Sequence, residues 1–312
     1  MICKRIDLIE GRQDVTLTTY VLDDSPDLLG GKPRPAVIVC PGGAYLGCSD
    51  REGEPVALRF NAMGYHAFVL RYSVYSENKG WGATAEDPQP KAWLTHPAPM
   101  RDIARAMLEI RKNAAQWHVD LDKVALCGFS AGAHNCAMYS VYWDKPIMRA
   151  PFGVEAADLK PAATILAYTL SDYMFMKEAY LKMDAAGKGL FDLVNLAFTG
   201  TKDPDDALLD AISPARHVDA NTPPMFLWST FRDGLVPIRH TTLLADALAQ
   251  ADVPFEVHIF EDGDHGLSLA DQSTATDRTQ IDPDAAKWAS LAEAWLKKRF
   301  ALDLPNQKRE RE

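Results

Sequence analysis

The chain has 312 residues, 47% of them hydrophobic and 24% charged, with a net charge of −10. That length supports one large α/β domain with a sizeable core, or two smaller ones, and the composition is ordinary for a globular protein. The negative surplus speaks against nucleic acid, whose phosphates need a basic surface, and against anionic membrane surfaces.

Five cysteines occur, Cys3, Cys40, Cys48, Cys127 and Cys136. The odd count, with Cys40 and Cys127 ending apolar runs, predicts free thiols in a reducing compartment rather than a disulfide framework. No C-x-x-C pair and no H-E-x-x-H is present, so no metal site and no cofactor are expected. The N-terminus, Met1 to Asp7, lacks an apolar core of signal-peptide length, and no run is long enough to span a membrane. A cytoplasmic location is the expectation.

In chain order, residues 14–22 alternate threonines with Val15, Leu17, Tyr20 and Val21, predicting a strand at the sheet edge. Asp24 to Pro35 is rich in Asp, Gly and Pro and reads as a loop. Ala36 to Cys40 is a continuous apolar run, the mark of an interior parallel strand. It runs directly into Pro41-Gly42-Gly43-Ala44-Tyr45. A glycine pair at the end of a buried strand lets backbone N–H groups face a ligand.

A helix is predicted from Asp50 to Met63, capped by Ser49 or Asp50 and stopped by Gly64. His66 to Tyr72 is the next strand. Residues 73–97 form a long irregular excursion carrying Trp81 and Trp93, and loops of that length are usually functional or mobile. Met100 to Trp117 is an amphipathic helix, with Ile103, Met107, Ile110 and Ala114 on one face. Val124 to Cys127 is a buried strand, Ala131 to Met138 opens a helix, and Asp144 to Lys160 reads as irregular. Ala162 to Ala167 is another short strand. Strands and helices in alternation imply a mostly parallel sheet covered on both faces.

Residues 168–212 break that rhythm. Their aromatic and methionine residues, Tyr173 among them, fall into two short helical patterns around Gly187-Lys188-Gly189. The segment reads either as a small helical lid insertion or as a hairpin packed on the sheet edge. Met225 to Trp228 and Phe255 to Phe260 are the last two strands, and Ile238 to Ala249 is the helix between them. The closing helix is expected from Asp284 to Phe300, capped by Asp282 with Pro283 in its first turn. No internal repeat or linker divides the chain, so 1–312 reads as a single domain with 168–212 inserted.

Chemistry concentrates at three strand tips. Gly128-Phe129-Ser130-Ala131-Gly132 fits the G-x-S-x-G elbow, in which a strand turns sharply into a helix and exposes a serine oxygen. Asp233 follows the strand ending near Trp228. His265 lies on the glycine-flanked loop Gly263-Asp264-His265-Gly266. The order Ser130, Asp233, His265 assigns nucleophile, acid and base. The N–H of Ala131, with one from Gly43 or Ala44, would hold an oxyanion. Seven other histidines compete with His265. His66 and His258 lie within strands, His134 sits on the elbow helix, and His96, His118, His217 and His240 lack a glycine-flanked strand tip. Asp262 and Asp264 are too close in sequence to His265 to orient it, and Asp205, Asp206 and Asp210 precede the relevant strand.

The segments Pro41 to Tyr45, Asp120 to His134, Thr230 to Pro237 and Asp264 to Gly266 resemble the bacterial esterases of the α/β-hydrolase superfamily. The similarity is to the acetyl esterase and acetylxylan-esterase-like group, over about residues 15 to 300. Pro41 stands where lipase-type relatives carry histidine, and Ala44 where they carry glycine. The resemblance implies an α/β-hydrolase fold and a cofactor-free enzyme working through an acyl-serine intermediate. It also implies a small-molecule or oligosaccharide ester as substrate, with acetyl groups commonly removed from sugars. On that basis Tyr45, Trp81 and Tyr173 are candidate substrate contacts, the aromatic rings stacking on sugar faces. The alternatives are a feruloyl or aryl esterase, a prolyl-oligopeptidase-type aminopeptidase, and a hydrolase fold used only for binding. An exposed edge strand would also offer a surface for a homodimer.

Overall fold

Apolar runs flanked by turn residues become the strands of one sheet, and amphipathic segments between them become its covering helices. The computed structural model describes residues 1–79 and 87–304. Its strands are β1 (Arg5–Ile9), β2 (Arg12–Tyr20), β3 (Arg34–Cys40), β4 (His66–Arg71), β5 (Val119–Phe129), β6 (Ala163–Ala167), β7 (Met225–Thr230) and β8 (Phe255–Phe260). The helices are α1 (Glu54–Ala62), α2 (Ala98–Trp117), α3 (Ala131–Tyr142), α4 (Pro146–Arg149), α5 (Tyr173–Tyr180), α6 (Ala185–Thr199), α7 (Asp206–Ala211), α8 (Arg239–Gln250) and α9 (Trp288–Phe300).

The strands form one sheet in the order β1-β2-β4-β3-β5-β6-β7-β8. β2 pairs antiparallel with both β1 and β4, and every pairing from β4 to β8 is parallel. The alternation along β3 shows why the interior strands are apolar throughout. Ile38 and Cys40 face one core with α2, α3 and α8, while Val37 and Val39 face the other with α1 and α9. Trp228 stacks on Trp288 in that second core, ring centroids 5.3 Å apart. Because the helices cover both faces, the free ends of the parallel strands are what remains for chemistry. Among the described residues, no helix is long and apolar enough to cross a membrane.

The predicted α/β-hydrolase fold is present, with local differences. The strand predicted over 14–22 is not at the edge, because the short polar segment Arg5–Ile9 pairs outside it. The helix predicted from Asp50 is broken. A 3-10 turn over Asp50–Glu52 gives way at Gly53 to α1, and Ser49 makes no capping hydrogen bond. Residues 144–160 hold α4 and a 3-10 turn rather than irregular chain. In 168–212 the two helical patterns do not divide at Gly187-Lys188-Gly189. Asp184 accepts the Gly187 N–H and caps α6, which runs through both glycines, and a third helix, α7, follows. The closing helix starts with a 3-10 turn, with the Asp282 carboxylate accepting the N–H groups of Asp284 and Ala285.

Candidate active site

Close backbone approach at two glycines builds the turn that carries Ser130. A Cβ on Gly128 would lie 2.4 Å from the Gly132 carbonyl oxygen, and one on Gly132 would lie 2.1 Å from the Cys40 carbonyl oxygen. Side chains at either position are excluded by backbone that cannot move aside. The squeeze leaves Ser130 at φ 51° and ψ −119°, a strained conformation of the kind that collects at functional sites. The Ser130 N–H donates to the Ala167 carbonyl at 3.0 Å, locking the tip of β5 to β6.

Two neighbouring strand ends complete the arrangement. Ser130 Oγ lies 2.8 Å from His265 Nε2, and His265 Nδ1 lies 2.7 Å from Asp233 Oδ2. The second Asp233 oxygen accepts the N–H groups of Leu235 at 2.9 Å and Val236 at 2.8 Å. These three contacts fix the carboxylate, whose side chain is wholly buried. A carboxylate can only accept, so Nδ1 carries the imidazole proton and Nε2 is left to accept from the Ser130 hydroxyl. The three residues expected at separate strand tips thus form one chain of hydrogen bonds.

The loop after β3 supplies backbone donors. Gly43, Ala44 and Tyr45 all have positive φ, at 140°, 54° and 57°. That twist is uncommon for the two non-glycine residues. Gly42 N–H is taken by Glu52 Oε2 at 2.7 Å, so Gly43 and Ala44 are the candidates left for an oxyanion. Ala44 and Ala131 both line the cavity beside Ser130. Ala131 is the first residue of α3, where an N–H has no partner within the helix.

That cavity has a volume of about 50 Å³ and is walled by Tyr45, Leu170, Tyr173, Phe191, Val194 and Val236, among others. Tyr173, Phe191 and Val194 come from α5 and α6. Tyr45 and Tyr173 therefore stand at the site, but not as exposed platforms. Tyr45 is 2% exposed and stacks on Phe198 at 4.1 Å, and its hydroxyl lies 2.6 Å from His134 Nδ1. The expectation that Tyr45 stacks on a sugar ring is corrected by this packing: both its ring and its hydroxyl are occupied within the protein. Tyr173 is buried as well, with its ring 5.2 Å from that of His134. Trp81 lies outside the described residues, and Trp93 is exposed on the surface.

His134, weighed in sequence as a rival base, is a buried structural residue. Its Nε2 donates to the Ile212 carbonyl at 2.8 Å, so Nδ1 accepts from the Tyr45 hydroxyl. Burial pushes its pKa down to about 3. Two residues of the site escaped sequence reading. Glu52 reads along the chain as a helix-opening charge, yet its carboxylate is buried behind Gly42. Tyr168, just past the end of β6, sets its ring edge-on to His265 at 5.0 Å. Its position at a parallel strand's C-terminal tip was the available signal. Among the described residues, no cluster of three or more His, Cys, Asp or Glu side chains is arranged to hold a metal ion.

The BD-FAE family profile matches residues 27–248, a span that includes Ser130 and Asp233 and stops short of His265. The chain is 34% identical over 239 residues to endo-1,4-beta-xylanase B of Butyrivibrio fibrisolvens, covering 76% of this chain and 33% of that protein. It spans between 33% and 52% of the length of the curated relatives it matches. The carboxylesterase Cest-2923 of Lactobacillus plantarum superposes with a TM-score of 0.76 at 27% identity, covering 96% of this chain and 98% of that one. An acetyl ester-xyloside bifunctional hydrolase of Caldicellulosiruptor lactoaceticus superposes with a TM-score of 0.70 at 30% identity, covering 95% and 96%. With the profile match across most of its length and a shared fold from end to end, the chain belongs to the BD-FAE family and has the α/β-hydrolase fold.

Proposed function

We propose that the chain is a serine carboxylesterase that removes short acyl groups, acetyl above all, from carbohydrate esters. The observation that carries this reading is the Ser130–His265–Asp233 chain, at 2.8 and 2.7 Å, opening on a cavity of about 50 Å³. Apolar side chains from α5 and α6 crowd that cavity beside Ser130, which supports a short acyl tail over a long one. The 168–212 insertion acts in this reading as the wall that sets acyl length. The carbohydrate part rests on the relatives, three of which are named for xylan or xyloside chemistry.

In this mechanism Ser130 Oγ attacks the ester carbonyl carbon while its proton passes to His265 Nε2. Asp233 holds the imidazole tautomer and faces the imidazolium that forms. The Ala131 N–H and one from Gly43 or Ala44 receive the negative oxygen of the tetrahedral intermediate. His265 then gives its proton to the departing alkoxide, leaving acyl-Ser130 and a free alcohol. Water repeats the sequence, with His265 taking its proton, and releases the acid and the serine.

The test is acid release from p-nitrophenyl acetate, butyrate and octanoate, acetylated xylo- and manno-oligosaccharides, methyl ferulate and an aminoacyl anilide, with Ser130→Ala alongside. Fast deacetylation of the oligosaccharides, lost in the variant, is expected. Turnover confined to ferulate or to the anilide would move the chain to aryl esterases or to peptidases. Turnover unaffected by Ser130→Ala would overturn the serine mechanism.

A further inference from the structure

Behind the oxyanion loop lies a carboxylate that the chemistry above does not use. Glu52 is 4% exposed. Its Oε2 accepts the Gly42 N–H at 2.7 Å and its Oε1 accepts the Tyr168 hydroxyl at 2.6 Å. Among the described residues no lysine or arginine forms an ion pair with it. A buried carboxylate without a direct ion pair is costly, and burial pushes its pKa up against the opposing pull of those two donors and the weaker pull of His265 and Arg51. An apolar side chain of the same volume would avoid that cost, so the position calls for what two acceptor oxygens can do.

Both oxygens hold catalytic segments. Through Gly42, Glu52 grips the loop that carries Gly43 and Ala44. Space there is filled, since a Cβ on Gly42 would lie 2.7 Å from Glu52 Oε2 and 2.9 Å from Ser130 Cβ. The carboxylate and the nucleophile thus sandwich one glycine. Through Tyr168, Glu52 reaches the histidine loop, because the Tyr168 hydroxyl accepts the Ser268 N–H at 3.0 Å while its own proton goes to Glu52. The same 3-10 turn adds two more ties to that loop. Arg51 Nη1 donates to the Gly266 carbonyl at 3.1 Å, and Ser268 Oγ donates to the Arg51 carbonyl at 2.7 Å. The Tyr168 ring meanwhile packs edge-on against His265.

We propose, resting on the serine-esterase reading, that Glu52 is a positioning residue that sets the oxyanion loop and the His265 loop at a fixed spacing about Ser130. The oxyanion donors are on one side of its carboxylate and the general base on the other. Glutamine cannot replace it, because its amide offers an acceptor to only one of the two donors and turns an N–H toward the other. Aspartate keeps the charge and loses the reach.

The experiment uses methanesulfonyl fluoride, a small reagent that reacts with an activated serine. Ser130 Oγ attacks sulfur, the S–F bond breaks, fluoride leaves, the serine proton passes to His265, and a sulfonyl oxygen takes the oxyanion position. The labelling rate of Ser130, read by mass spectrometry, is compared in the parent, Glu52→Gln, Glu52→Asp and Tyr168→Phe. The kcat and KM on p-nitrophenyl acetate and a thermal midpoint are taken for each. Since a misplacement of about 1 Å costs roughly a hundredfold, Glu52→Gln and Glu52→Asp are expected to label about a hundredfold more slowly. Their kcat should fall in parallel while KM stays within about twofold. Tyr168→Phe, which keeps the ring and removes both hydrogen bonds of its hydroxyl but leaves the Glu52–Gly42 contact, is expected to be about tenfold slower. A folded Glu52→Gln that labels as fast as the parent overturns the inference and leaves the esterase reading standing. If that variant does not fold, a Tyr168→Phe rate equal to the parent's overturns it instead. A parent that leaves Ser130 unlabelled overturns both.

Discussion

Acidification tests the packing around the site through His134. Its imidazole is 1% exposed and lies among the rings of Tyr45, Tyr173 and Phe198, at 5.7, 5.2 and 5.3 Å. Nε2–H is spent on Ile212, so a second proton would have to enter at Nδ1, against the hydroxyl that Tyr45 donates there. Burial lowers its pKa from 6.5 to about 3. The folded chain therefore keeps His134 neutral where the unfolded chain protonates it. Its contribution to stability is complete above pH 6.5 and is lost as pH falls toward 3. One proton taken up on unfolding gives a slope of about 1.4 kcal/mol per pH unit, or about 2 kcal/mol lost by pH 5. His66, His96 and His240 are each pushed down to about 4 by burial and add to the total slope. A difference against His134→Gln isolates the one group, because glutamine offers both an acceptor and a donor and does not titrate. Urea unfolding followed by tryptophan fluorescence, from about pH 7.5 to about pH 5, should show the parent losing about 2 kcal/mol more than the variant. Parallel pH dependences in the two proteins would refute the reasoning.

Three other perturbations follow from the geometry. Asp233→Asn removes the acceptor that fixes the His265 tautomer, and kcat on p-nitrophenyl acetate should fall by roughly 10³–10⁴ with KM little changed. A loss under tenfold would assign the orienting role elsewhere. Phe191→Ala opens the cavity wall on α6, and the ratio of butyrate to acetate hydrolysis should rise about tenfold, in line with a few buried methylenes' worth of space. An unchanged ratio would remove the 168–212 segment from acyl selection. Gly132→Ala places a Cβ 2.1 Å from the Cys40 carbonyl oxygen and 2.4 Å from that of Pro41, both backbone. It should cost more than about 4 kcal/mol, seen as loss of a cooperative thermal transition. A variant melting with the parent would show that β3 and α3 can separate freely.

What could be read along the chain was whatever leaves a local trace. Ala36 to Cys40 is apolar at every position because β3 is covered on both faces, and Ser130 stands out because its turn tolerates only glycine at Gly128 and Gly132. Asp233 and His265 were legible for a related reason, since each follows a strand and the C-terminal tips of neighbouring parallel strands converge. The segment Arg5–Ile9 escaped because an edge strand need bury only part of one face, so its apolar pattern is weak. Gly187-Lys188-Gly189 misled because glycine tolerates a helix's first turn once a capping carboxylate starts it, and Asp184 supplies that cap.

Glu52 and Tyr45 mark where this kind of reading stops, and for one shared physical reason. A charge after Ser49-Asp50 looks like the acidic opening of a helix, and a tyrosine beside two glycines looks like an open platform for a ligand. Both inferences treat the side chain as facing water. The structure instead closes other segments over them: Tyr168 and Gly42 enclose Glu52, and Phe198 with His134 encloses Tyr45. The enclosing residues are 116 and 10 positions away from Glu52, and 153 and 89 from Tyr45, so most of the enclosure leaves no local periodicity. Ser130, Asp233 and His265 announce themselves because a strand tip dictates where each can stand. The polar groups that hold them in register are recruited across the sheet. For that reason Glu52 became visible only once β3, β5, β6 and the loop after β8 were brought to one edge.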